Sequence, residues 1–193
     1  MKKKDWIIIG FLIGIVIIVI LLFEIKKPKI EVYTDIERYE LKLQKENTKW
    51  HKWGMKETIW PEMITSNMNV KDYKMVYYDP FDAQYLGYLE VEYSDNDYQR
   101  ERARLINYES TEYIGYYNVR EEETYTLLAI NADPYYGFVY ALTDGNNKII
   151  YAEQIFCNYF MDLNYKEYMR GDYFLDGFDA TKNNPYRKKK FGK

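Results

Sequence analysis

Eighteen consecutive residues from Trp6 to Phe23, WIIIGFLIGIVIIVILLF, carry no charge. A helix needs about 20 apolar residues (17–25) to cross a bilayer, because every backbone polar group must be satisfied inside the segment. Lys2, Lys3 and Lys4 precede the run, Lys26, Lys27 and Lys29 follow it, and Trp6 sits where an interfacial aromatic is expected. After the run the chain continues Glu24, Ile25 with no small-residue cleavage signature and no cysteine for lipid attachment, so an uncleaved transmembrane anchor is expected over residues 1–29. The flanking lysines balance. Arg38 and Lys42 favour a cytoplasmic domain, whereas an apolar segment at the N-terminus acts as an export signal and long domains translocate largely regardless of charge. An extracytoplasmic domain is therefore expected. Gly10 and Gly14 form a G-x-x-x-G spacing that lets two helices approach closely, a homodimer contact to set against the ordinary frequency of glycine in spanning helices.

The rest of the chain reads as one α+β domain over 30–180 followed by a basic C-terminal tail over 181–193. All 23 tyrosines lie beyond the apolar run. Short runs rich in aromatic and β-branched residues are expected strands: Tyr73 to Tyr78, Tyr85 to Tyr93, Thr111 to Val119, Thr124 to Ala132, Phe138 to Thr143 and Lys148 to Phe156. Asp144-Gly145-Asn146-Asn147 predicts a hairpin between the last two, and Asp133-Pro134 a turn before them, so an antiparallel sheet of five to six strands is expected. The fourth run is apolar on both alternating faces and reads as the central strand. One helix should pack on this sheet. Ser94 and Asp97 match a capping box, Tyr98, Leu105 and Ile106 share a face, and Asp97–Arg100 and Glu101–Arg104 are i,i+3 pairs, giving a helix over about 94–108. Residues 31–46 suit either period, and a short helix from Thr34 is the reading adopted.

The segments TIWPEMI, YDPFDAQYLGYLEVEY, YYGFVYALTDG and FCNYFMDLNYKEYM resemble a group of single-pass, membrane-anchored proteins of low-GC Gram-positive bacteria that has no assigned activity. The resemblance covers about 30–180. It implies an anchor plus one domain, and no functional residue.

One cysteine and one histidine exclude an intramolecular disulfide and any site needing two imidazoles. A Cys157–His51 nucleophilic pair is weighed against a buried thiol and a surface imidazole, and the latter is preferred. Ser66, Ser94 and Ser110 are the three serines, none in G-x-S-x-G, and phosphate-cradling glycine loops are missing. Asp79 and Asp82 around Pro80-Phe81, and Asp172, Asp176 and Asp179 in GDYFLDGFD, are carboxylates that could serve a hydrolase, but acids beside Pro and Gly more often shape turns. No metal or other cofactor is expected. Of the 27 basic residues, six precede residue 30 and five lie from Arg187 onward, so positions 30–186 hold 16 basic against 28 acidic residues, about −12. Nucleic acid is accordingly an unsuitable partner. Arg187 to Lys190 suit anionic lipid at about 1 kcal/mol per basic residue near a membrane, against the alternative of a solvated tail. Tryptophan and tyrosine that bury an apolar ring while keeping a wet polar tip fit sugar or peptide partners. Trp50, Trp53, Trp60, Tyr116, Tyr117, Tyr135 and Tyr136 are the candidate aromatic surface.

The expectation is thus a membrane-anchored, non-catalytic interaction domain whose partner is a protein or wall polymer. A carboxylate-dependent hydrolase at the envelope and an accessory subunit of a membrane complex are the alternatives.

Overall fold

The computed structural model describes residues 11–19, 28–39, 58–111, 124–175 and 180–192. Residues 11–19 are helical. The rest of the apolar run lies outside the described residues, and among the described residues no helix is long and apolar enough to cross a membrane.

Six antiparallel strands form one sheet: β1 (Glu31–Tyr33), β2 (Asn69–Tyr78), β3 (Gln84–Glu92), β4 (Thr126–Asp133), β5 (Gly137–Thr143) and β6 (Lys148–Ile155), in the order β1-β2-β3-β6-β5-β4. Five coincide within a few residues with expected strands. The sixth member differs: the Thr111 to Val119 run lies outside the described residues beyond Thr111, and the edge is supplied by β1. Glu31–Tyr33 is strand, Ile36–Arg38 is a 3₁₀ turn capped by Asp35 and Tyr39 is helical, and the continuation of the short helix expected from Thr34 lies outside the described residues. Pairing of Val32 with Val76 makes residues 31–33, ahead of that turn, extended.

Among the described residues the order places β3 and β6 at the centre, and β4, expected to be central, stands last in the sheet. Its two-sided apolar pattern has another cause. A bulge between Leu127 and Ala129 puts Leu128 and Ala129 together on one face while Ile130 faces the other, and both faces are covered. Its outer side is partnered by Ser110 and Thr111: the Thr111 N–H donates to the Ile130 carbonyl (3.0 Å) and the Ile130 N–H to the Ser110 hydroxyl (3.1 Å).

One face is covered by α1 (Asp95–Ile106) and residues 58–61, the other by the segment 156–175 that follows β6. Ser94 caps α1, accepting from the Asp97 N–H at 3.3 Å, and Asp97 accepts from the Ser94 hydroxyl at 2.7 Å rather than reaching back to a backbone N–H. Tyr98 and Leu105 are buried as expected, but Ile106 is 49% exposed, because the buried stripe is only one residue wide. Arg104 holds Glu101 at 2.6 Å and donates to the carbonyls of Thr58 and Ile59, tying α1 to the strap beneath it.

Several core tyrosines place their hydroxyls against hydrogen-bond partners. Tyr93 and Tyr151 share a 2.8 Å bond, Tyr151 donates to Glu101 (2.6 Å), Tyr140 to the Tyr173 carbonyl (2.7 Å) and Tyr88 to Asp72 (2.8 Å). Burial raises the pKa of Tyr73, Tyr88, Tyr93, Tyr151 and Tyr173 above the ordinary value. A raised folded-state pKa means stability complete below the unfolded value of about 10 and lost as pH rises past it. Alkaline titration should therefore show much of the tyrosinate absorbance appearing late and together with loss of far-ultraviolet ellipticity. Full ionisation near pH 10 with ellipticity intact would contradict this burial.

Candidate functional site

The two ends of the sheet differ in chemistry. At the end where β1 pairs with Tyr77, the β2–β3 turn, the β4–β5 turn, the residues following β6 and α2 (Pro185–Phe191) come together. Asp133 builds the β4–β5 turn by accepting from the N–H groups of Tyr135 (2.7 Å) and Tyr136 (3.0 Å). The two rings meet edge-on at 4.8 Å, Tyr135 meets Tyr159 at 5.2 Å, and Tyr159 meets Phe191 at 5.8 Å. Lys182 lies 5.0 Å and Arg187 5.1 Å from the Phe160 ring. The C-terminal residues are thus helix packed on aromatic rings through Phe191 and Arg187, in place of a wholly solvated tail. Phe81 projects from the β2–β3 turn, 96% exposed, and Phe191 is 52% exposed.

Asn158 and Tyr159 both take left-handed conformations (φ 60° and 71°), which for a bulky residue costs about 1–3 kcal/mol. The turn is held by the Cys157–Phe160 bridge, by the Tyr135 hydroxyl donating to Asn158 (3.1 Å), and by the Asn158 amide donating to Asp82 (3.3 Å). Cys157, half-buried, has its sulfur 3.6 Å from the Tyr135 hydroxyl, and hydrogen bonding within this pair, with burial second, pushes the Tyr135 pKa up to about 12.

Of the expected aromatic surface, Tyr135 and Tyr136 are brought together half-exposed. Trp60 is a correction: it is 3% exposed, its indole N–H donates to the Ala152 carbonyl (3.4 Å), and its ring lies between Tyr39 and Tyr151. A long-range hydrogen-bond acceptor in β6 drew it inside. Trp50, Trp53, Tyr116 and Tyr117 lie outside the described residues, as do His51, Gly10, Asp176 and Asp179. Asp79 accepts from the Tyr77 hydroxyl (3.2 Å) and Asp172 holds Arg170 through two bonds (3.0 and 2.6 Å), so these acids serve turns and an ion pair. Among the described residues, no group of three or more His, Cys, Asp or Glu side chains is placed to hold a metal ion. Sequence reasoning missed Phe81, Tyr159 and Phe191. A large apolar residue between Pro80 and Asp82 at a hairpin tip was a readable signal, whereas nothing local marks Tyr159.

The opposite end carries a shallow open groove of about 410 Å³, lined by Ser66, Asn67, Met68, Asn69, Glu92, Tyr93 and Ser94. The Asn69 amide donates to Glu92 (3.1 Å), and Lys71, 2.6 Å from that carboxylate, holds its pKa below the ordinary value. Hydroxyls, amides and the Glu92 carboxylate make up most of its surface, with Met68 and the Tyr93 ring as its less polar members.

Near this end, on the face covered by 156–175, Glu90 is 7% exposed and accepts from the Tyr173 hydroxyl and from Lys148 (2.8 Å). Burial acts to raise the Glu90 carboxyl, but the hydrogen bonds of Lys148 and Tyr173 outweigh it and leave the pKa below its ordinary value. Hydrogen bonding to Glu90 raises Lys148 in turn. All three groups are occupied with one another, which is the arrangement of a structural network.

No protein-family model, curated protein or solved structure matches this chain.

Proposed function

We propose that the chain is a single-pass membrane protein whose α+β domain lies outside the cytoplasm and acts by binding a partner, without catalysis. The observation that carries this reading is the opposition of the two sheet ends. The chain enters the domain at Glu31, opposite Tyr77, while the polar groove lies at the Asn69 end of β2, nine strand positions from Tyr78 or about 30 Å. A tether at one end leaves the groove facing away from the bilayer. The tether is the uncharged run Trp6 to Phe23, within which Phe11 to Val19 is helical and its large apolar side chains are 42–70% exposed. Such side chains need a lipid or protein environment. The resemblance to anchored proteins of low-GC Gram-positive bacteria supports the same reading.

The groove suits a partner rich in hydroxyl and amide groups, as a wall polymer is. Open space around Gly14 is compatible with a helix pair through G-x-x-x-G, for which Gly14→Ile should abolish crosslinked dimers.

Three measurements test the reading. In a Cys157→Ala background, Lys193→Cys is expected to react with a membrane-impermeant maleimide in intact cells, and the protein to stay with membranes through alkaline carbonate extraction. Protection until lysis overturns the outside placement, and release by carbonate overturns the anchor. The full chain in detergent is further expected to sediment with purified peptidoglycan and to stay in the supernatant when Ser66→Asp and Asn67→Asp are combined. No sedimentation of the unaltered chain, or equal sedimentation of both, removes the groove as a wall-polymer site.

A further inference from the structure

We infer that the aromatic end of the domain docks onto the anionic phospholipid surface of the membrane that holds the N-terminal run, with Phe81 seated among the headgroups and α2 lying against them. The inference rests on the anchor reading above. Its geometry follows from topology: between Phe23 and Glu31 there are seven residues, 24–30, which span at most about 25 Å when fully extended. The chain therefore enters the sheet close to the bilayer, beside Tyr77, and the β2–β3 turn lies only a few residues beyond.

What this end presents to a membrane is unlike the rest of the surface. Phe81, 96% exposed at a hairpin tip, is a large apolar side chain placed where nothing in the fold uses it. Phe191, 52% exposed, ends a helix that carries Arg187, Lys188, Lys189 and Lys190. Lys188, Lys189 and Lys190 are exposed, whereas Arg187 is half-buried over the Phe160 and Phe191 rings. An apolar residue at the interface combined with a polybasic segment is the pairing that binds anionic bilayers, and either alone is weak. Asp79 and Asp82 flank Phe81 and oppose an anionic surface, but Asp79 accepts from Tyr77 and Asp82 from Asn158, and the four α2 cations outnumber them. The short tether keeps the docking surface at high effective concentration, so weak intrinsic binding suffices. Against a domain body of about −12, α2 carries the only run of consecutive lysines among the described residues, so the basic charge there is concentrated at this end. Docking in this way orients the sheet and holds the groove outward.

The test uses the full chain reconstituted into vesicles of phosphatidylcholine alone or with phosphatidylglycerol. A Phe81→Cys, Cys157→Ala chain is labelled with an environment-sensitive fluorophore, and quenching by spin-labelled lipid is read. With phosphatidylglycerol, blue-shifted emission and strong quenching are expected. Combining Lys188→Glu, Lys189→Glu and Lys190→Glu should lower the quenching by about half or more. A fluorophore at Asn67→Cys, at the far end, should remain unquenched. Loss of the protein from floated vesicles would mean that the anchor reading itself has failed. Full flotation with an unquenched Phe81 position overturns the docking alone. Equal quenching in both lipids with no effect of the lysine changes also overturns it, because α2 would then play no part.

Discussion

Replacing Gly137 with alanine is expected to destabilise the domain by about 3–5 kcal/mol, the sum of backbone strain and a steric clash that neither neighbour can relieve. Gly137 begins β5 at φ 112°, and a Cβ there would stand 2.0 Å from the Gln154 carbonyl oxygen and 3.2 Å from Ile155 Cα, both backbone atoms of β6. Relief requires opening the Gly137–Ile155 end of the β5–β6 ladder, beside which the Phe156 N–H donates to the Tyr136 carbonyl (2.9 Å). Gly145→Ala is the control. Its φ is also positive, at 79°, but nothing lies within 4 Å of a Cβ there, so only strain of about 1 kcal/mol is expected. Urea denaturation of both variants separates the terms. A Gly137→Ala midpoint no lower than that of Gly145→Ala would show that the two strands do not approach as described.

The Glu90 network should give the second large effect. Glu90→Ala leaves the Lys148 ammonium and the Tyr173 hydroxyl without their acceptor at a site where Glu90 is 7% exposed. Breaking a fully buried pair costs about 3–5 kcal/mol, and the Lys148 side chain retains 29% exposure, so about 2–4 kcal/mol is expected. Removing all three polar groups together, as Glu90→Leu, Lys148→Met and Tyr173→Phe, should return stability to within about 1–2 kcal/mol of the parent, because no charge or hydroxyl is then stranded. The pH dependence follows from the direction of the shifts. Glu90 is depressed in the folded state, so its contribution is present above the unfolded value near 4.3 and lost as pH falls through the folded value. Lys148 is raised, so its contribution is present below about 10.4 and lost above it. Stability against urea should fall at both extremes in the parent, with a shallower acid limb in the triple variant. An unchanged acid limb would assign it to other carboxylates.

Features decided within a few residues were legible. Ser94 with Asp97 marked the start of α1, Arg100 and Arg104 found Asp97 and Glu101, and Asp144 to Asn147 joined β5 to β6. The half-exposed pair Tyr135–Tyr136 was also readable, because Asp133-Pro134 announced the turn that presents it. Phe81 could have been found by asking why a hairpin tip holds a phenylalanine. Trp60 could not, since its hydrogen-bond partner Ala152 lies 92 residues away.

Composition and local pattern were sufficient for an α+β domain of antiparallel strands, for the exclusion of disulfide and two-imidazole chemistry, and for an uncharged run long enough to span a bilayer. Those are properties of residue type and short-range spacing, which backbone sterics, capping and hydrophobic period translate directly. The tertiary structure decided the rest. It placed β3 and β6 at the centre of the described sheet, drew Trp60 inside, put Tyr159 in a left-handed turn, paired Glu90 with Tyr173 across 83 residues, and gathered Phe81, Phe191 and the α2 cations at the end where the chain enters. An apolar pattern states that a side chain must leave water, but it does not say against which partner. Only the pairing of distant strands and the layers that cover them make that choice.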